Sequence, residues 1–183
     1  MHGLYDVCQE LKGLKVLYAY RCIGTKFYIH PLNLSYMQTG ITGSLGTAIK
    51  APVEKVWDAL VNPAIIKQYL FGTNARSEWK AGSPIYFEGE WEGKTYQDKG
   101  TILDIKPNEL LRYTYWSSMS KQEDKPENYM VITFRISKDE NDHTMLSLLQ
   151  ENIPDEQTKT HSMENWQIVI GNMKRILEKQ GDD

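Results

Sequence analysis

Cysteine is scarce in this sequence: two in 183 residues, Cys8 and Cys22, both within the first forty. A disulfide-stapled secreted domain needs several paired cysteines, so that class is excluded for the bulk of the chain, and the usage fits a reducing compartment. Long apolar runs are missing too. The closest, Val16 to Tyr20, is five residues between Lys15 and Arg21, against the ~18 that a membrane helix needs, and it is too short for a signal-peptide core. There is no excess of positive charge: 21 Lys and Arg against 24 Asp and Glu leave a formal net charge of -3, which counts against a dedicated nucleic-acid binder. No Cys-x2-Cys or His-x3-His spacing suggests a metal, and the dispersed glycines form neither a phosphate loop nor a dinucleotide fingerprint. The expectation is a cytoplasmic protein without a cofactor, and without a nucleic-acid or membrane partner.

The charge that is present is unevenly placed. Residues 1–40 hold four Lys and Arg against two Asp and Glu, a net of +2, whereas residues 41–183 hold 17 against 22, a net of -5. In the first segment Leu4, Val7, Cys8, Leu11, Leu14 and Tyr18 recur at helical spacing, with Gly13 interrupting them. One reading is a docking helix that covers an apolar surface. The plainer and preferred reading is an extension of no selected role, with the true start at Met37. Residues 1–40 are therefore set apart as an extension and 41–183 as one domain.

From Ser44 the patterning is regular. A strand runs to Ile49, and Pro52 opens a short helix with Val53, Val56, Trp57 and Leu60 on one face. Asn62 caps a second helix that begins at Pro63, buries Ile66, Tyr69 and Leu70, and stops at Gly72. Six strands follow. They are Ala75–Trp79, Ile85–Trp91, Lys94–Ile105, one carrying Leu111, Tyr113 and Tyr115, one carrying Ile132, Phe134 and Ile136, and one carrying Leu146, Leu148 and Gln150. Glu92-Gly93, Pro107-Asn108 and Asp139 to Asp142 read as turns, and 117–128 as a solvated loop. A long helix over roughly Thr160 to Lys179 closes the chain, with Met163, Trp166, Ile170, Met173 and Leu177 as its apolar stripe. Gly171 inside it either permits close approach to the sheet or leaves room for something else. Lys174, Arg175 and Lys179 suit the negative end of its dipole.

Strand, two short helices, six strands and a long helix is the order of the α+β helix-grip fold, a curved antiparallel sheet of about seven strands around the last helix. The segment "IKAPVEKVWDALVNPAIIKQY" resembles the opening of the START-like (SRPBCC) superfamily. With "GTILDIKPNELLRYTYW", "VITFRI", "TMLSLLQEN" and "NWQIVIGNMKRILE" the resemblance is closest to homologues of the activator of the 90-kDa heat-shock-protein ATPase, over about residues 44–180. That resemblance implies a cavity between sheet and closing helix able to hold an apolar small molecule such as a lipid, and no common reaction. Co-chaperones of the group carry a further N-terminal domain with an Asn-Trp-His-Trp-type motif. None occurs here, since Asn165-Trp166 is followed by Gln167, which counts against chaperone activation.

The aromatic load is the main chemical clue: beyond residue 40 there are five Trp, six Tyr and three Phe. Trp57, Phe134 and Leu177 are assigned to the core. Phe87, Trp91, Tyr113, Tyr115, Gln150, Met163, Trp166, Ile170 and Met173 are the candidate ligand-binding residues, because buried Tyr and Trp need hydrogen-bond partners that the inward neighbours scarcely supply. Glu88 and Glu90 read as a solvated pair. Asp98 and Asp104 share parity with Ile102, and a buried carboxylate there could serve as a general acid or base. His2 and His30 lie in the extension, His143 in a turn and His161 at the start of the last helix, and none makes a triad or metal site. The leading expectation is a non-enzymatic protein that binds an apolar or aromatic small molecule. The alternatives are a chaperone-linked interaction module using the sheet surface or loop 117–128, and a cyclase- or hydrolase-like enzyme using Asp98, Asp104, Tyr113 or Gln150 on an aromatic substrate.

Overall fold

The computed structural model describes residues 40–139 and 143–179 in full and, of residues 1–39, only the backbone of four short strands. Strand β1 (Gln9–Leu11) pairs with β2 (Leu14–Val16), and β3 (Ala19–Ile23) with β4 (Lys26–His30), both antiparallel. Leu11 and Leu14, two of the residues whose spacing allows a helix, therefore lie in strands, and Leu4, Val7 and Tyr18 lie outside the described residues. Gly13, which falls between the first two strands in sequence, would cost a helix about 1 kcal/mol relative to Ala. Residues 1–39 make one unit and 40–183 another. His2, Cys8 and Met37, and the centre of the turn expected at 139–142, lie outside the described residues.

The second unit begins with β5 (Ile41–Ile49), followed by α1 (Val53–Val61) and α2 (Pro63–Tyr69). Asn62 caps α2 as expected, its side-chain oxygen accepting from the backbone N–H of Ala64 at 3.1 Å. Next come β6 (Asn74–Ser77), β7 (Pro84–Trp91), β8 (Lys94–Lys106), β9 (Leu110–Tyr115), β10 (Met130–Lys138) and β11 (Thr144–Ile153). The seven strands β5 to β11 form one antiparallel sheet in the order β5-β11-β10-β9-β8-β7-β6. The closing helix α3 (Glu156–Lys179) lies in its curve. This is the α+β helix-grip arrangement read from the sequence.

Two turns show why the hairpins close where they do. Glu92 and Gly93 both have positive φ, 50° and 75°, the two-residue geometry that matches strand twist. Asn108 likewise sits at φ 65°, a conformation asparagine tolerates well.

Helix α3 starts a turn earlier than Thr160. The Asp155 carboxylate accepts from the backbone N–H of Thr158 at 2.7 Å, which supplies the missing partner for a first-turn amide. Its C-terminal half packs Val169, Ile170, Met173 and Leu177 into the core with Ile49, Leu146 and Leu148; full burial of such side chains contributes roughly 2 kcal/mol each. Lys174 does more than complement the dipole, since its ammonium donates to the Ala48 carbonyl at 2.8 Å and ties the helix to β5. Gly171 is exposed, and a Cβ there would meet nothing within 4 Å, so close approach to the sheet is not the reason for this glycine.

One irregularity decides which acid faces inward. Ile102 of β8 lies opposite Tyr113, but Asp104 lies opposite Arg112, so two residues of β8 span a single step of β9. Leu103 is the additional residue of this bulge, and parity reverses there. Asp98 keeps the inward face with Ile102, whereas Asp104 shares the outer face with Arg112. The shared parity expected for the two aspartates stops at Leu103.

Candidate functional site

The inner face of the sheet carries a transverse row formed by register: Ile102 opposite Tyr113, Tyr113 opposite Ile132, Ile132 opposite Gln150, and Gln150 opposite Gly43. Alternation places all of them toward α3. Tyr113, Ile132 and Gln150 of this row, together with His161 to Val169 of α3, line a pocket of about 530 Å³. That lies within the range of roughly 300–1,000 Å³ typical of small-molecule sites. Leu70 and Phe71 beyond α2, Phe87 of β7 and Trp166 of α3 complete its walls.

Rings pack around it at productive distances. Phe87 lies 5.8 Å from Tyr113 and 6.2 Å from Tyr115, and Phe134 meets Trp166 edge-on at 5.6 Å behind the wall. At the mouth Phe71 and Trp91 form a T-shaped pair at 6.2 Å, and together with Met119 they are more than half exposed. Phe71 has φ 47°, a strained conformation for a bulky residue that costs about 1 kcal/mol or more. It follows α2 directly and holds an apolar ring out at the rim.

The polar groups fall into two sets. At the α3 side, Trp166 Nε1 donates to Gln150 Oε1 at 2.8 Å, and Gln150 Nε2 donates to Met130 Sδ at 2.9 Å. At the other side Asp98, 7% exposed, accepts from the Tyr115 hydroxyl at 2.5 Å, the Ser117 hydroxyl at 3.0 Å, the Ser118 N–H at 2.8 Å and the Ser118 hydroxyl at 3.1 Å. Burial, and then the Asp98 charge, push the Tyr115 phenol well above its usual range, so it remains a neutral donor. Burial raises Tyr113 likewise. The Tyr113 hydroxyl has no hydrogen-bond partner among the described residues, although the residue is only 5% exposed and lines the pocket.

The family model described as "Activator of Hsp90 ATPase homolog 1-like protein" matches residues 50–178. The chain belongs to this family. A protein from Cytophaga hutchinsonii with a solution structure shares 41% identity over 80% of this chain and all of its own, with a TM-score of 0.69. An Aha1 dimer from Colwellia psychrerythraea (18% identity, 75% of this chain and 96% of its own, TM-score 0.60) has the same fold. So has an HSP90 activator from Plasmodium falciparum (18% identity, 75% and 96%, TM-score 0.61). No curated protein matches.

In this member of the Activator of Hsp90 ATPase homolog 1-like family, six of the nine candidate residues come together at the pocket: Phe87, Trp91, Tyr113, Tyr115, Gln150 and Trp166. Trp91 does so from the rim, half exposed, rather than from the interior face that alternation gave it. Met163, Ile170 and Met173 do not line it. A helical stripe is wider than the pocket, and its parts meet different neighbours. Met163 lies over Gly43 of β5, so close that a Cβ there would stand 2.7 Å from its sulfur. Ile170 and Met173 are buried in the core about two and three turns further on.

Sequence reasoning missed Phe71, Thr73, Tyr96, Ser117 and Met119 on one side and His161, Ser162 and Asn165 on the other. The second group had a signal, the Asp155-x-x-Thr158 capping pattern that moves the helix start upstream. Thr73 and Tyr96 join hydroxyls at 2.7 Å across the pocket's edge. Glu88 is not simply solvated: it pairs with Arg76 at 3.3 Å and accepts from Gln97 at 2.7 Å. Loop 117–128 is tethered by the Asp98 contacts, by the Trp116 Nε1 bond to the Gln122 carbonyl at 3.1 Å and by the ion pair of Lys99 with Asp124. Among the described residues no group of His, Cys, Asp and Glu could hold a metal, and no helix is long and apolar enough to cross a membrane.

Proposed function

We propose that the domain binds an apolar or aromatic small molecule in the pocket between the sheet and the N-terminal half of α3. The observation that carries this reading is the Tyr113 hydroxyl. It takes no hydrogen bond from the described residues, and it opens on 530 Å³ of aromatic-walled space rather than on packed core. A ligand oxygen or nitrogen there would satisfy it. Phe71, Trp91 and Met119 give an apolar solute a route in.

The test is a thermal-shift screen of lipids and aromatic metabolites, with the indole N–H signals of Trp166 and Trp91 followed by NMR. A ligand at a hundred times its Kd adds about 2.7 kcal/mol to stability, a clear rise in Tm. Val169→Trp, which fills the pocket, abolishes the rise, and Tyr113→Phe weakens it without destabilising the free protein. A screen in which no compound raises Tm or moves either indole signal overturns the proposal.

A second reading, a chaperone-associated role, is supported by the family's description and by the names of two structural neighbours. Recovery of a 90-kDa heat-shock protein in a pull-down, with a changed ATPase rate, supports it; unchanged rates dismiss it. The enzyme reading has less support, because Asp104 is on the other face and Gln150 is committed to Trp166.

A further inference from the structure

Resting on the pocket reading, we propose that the molecule held there carries an organic cation, a protonated amine or quaternary ammonium on an apolar or aromatic body. Among the described residues that line the pocket Asp98 is the single acid, and no Lys or Arg lines it. His161 is at the exposed rim, its Nε2 3.2 Å from the Asn165 side-chain amide.

The four groups that hold Asp98 are hydroxyls and a backbone amide, so none brings positive charge. Four acceptances suit the ionised carboxylate, which accepts only. The neighbouring Lys99 is turned elsewhere: it pairs with Asp124 and lies 5.5 Å over the Trp116 ring. The pocket therefore holds one buried negative charge whose counter-charge the protein does not supply. Around it stand the rings of Phe87, Tyr113 and Tyr115, with Trp91 and Phe71 at the mouth. Aromatic faces beside an acid are the surroundings in which a desolvated organic ammonium is favoured. A carboxylate-bearing ligand, such as a fatty acid, would meet like charge in a medium that screens it poorly.

Tethering loop 115–118 accounts for the four hydrogen bonds to Asp98, and no cationic side chain faces that carboxylate from the pocket lining.

The experiment titrates the full chain with three probes of equal length: phenylbutyltrimethylammonium, its uncharged tert-butyl carbon isostere, and the corresponding phenylalkanoate. Binding is read from the Trp166 and Trp91 indole signals. The expected order is cation first by about tenfold over the neutral probe, with the anion weakest. Asp98→Asn brings the cation-to-neutral ratio to about one. Should that variant fail to fold, the order of the three probes on the wild-type chain decides. Neutral probe bound as tightly as the cation, or anion preferred, overturns the proposal while the pocket reading stands. None of the three bound overturns both.

Discussion

The indole Nε1 of Trp166 donates a 2.8 Å hydrogen bond to Oε1 of Gln150, joining α3 to the sheet across the pocket's inner edge. Gln150 is 2% exposed, so its amide is a polar group built into an apolar wall. Gln150→Leu keeps the volume but strands the indole N–H, and the expected cost is about 2 kcal/mol. Urea unfolding measures it. An unchanged midpoint would show that the bond does not hold helix and sheet together.

Gly100 has a more severe requirement. A Cβ on it would lie 1.6 Å from the Thr114 carbonyl oxygen, which is backbone and cannot move aside. Gly100→Ala is expected to cost about 3 kcal/mol or to prevent folding, the upper end of single-substitution effects. Circular dichroism and a denaturant titration report it, and a native-like Tm would contradict the approach of β8 to β9.

Gly171 is the opposite case. It sits on the solvent side of α3 with open space where a Cβ would go. Gly171→Ala is expected to stabilise the domain by about 1 kcal/mol through helix propensity alone. Thermal unfolding checks the sign.

Asp155 gives α3 a pH dependence. The backbone hydrogen bond from Thr158 holds its carboxyl below the usual aspartate range. A carboxyl depressed in the folded state contributes stability that is present above its unfolded value of about 3.9 and is lost as pH falls through the lower folded value. Asp155→Ala should therefore lower Tm at neutral pH. The gap to wild type should shrink below about pH 4. A gap independent of pH would remove the carboxylate from the account.

The fold was readable because most of its strands alternate without error. Leu111, Tyr113 and Tyr115, then Ile132, Phe134 and Ile136, then Leu146, Leu148 and Gln150 each repeat with period two, and all point to one face. Tyr113, Tyr115 and Gln150 at the pocket follow from that alternation, Phe87 from the same pattern in β7, and Trp166 from the helical stripe. The rest depends on conditions that no local pattern encodes. The parity of Asp104 depends on how β8 pairs with β9 at Leu103. Phe71 reaches the rim only because its backbone is left-handed. Met163 faces Gly43 because β5 closes that side of the sheet, a neighbour more than a hundred residues away in sequence.

Leu103 touches none of this chemistry, yet it acts as a crease in the sheet. A bulge bends its strand and increases the local twist, so the half of β8 that bears Asp98 leaves the plane of the half that follows Asp104. Loss of this one side chain together with its backbone would still leave Ile102 and Ile105 inward and Asp104 outward, since regular alternation resumes on either side. The wall opposite α3 would then be flatter, with every lining residue retained. In this architecture the breadth of the pocket and the identity of its lining can change separately, the first by a one-residue deletion and the second by substitution.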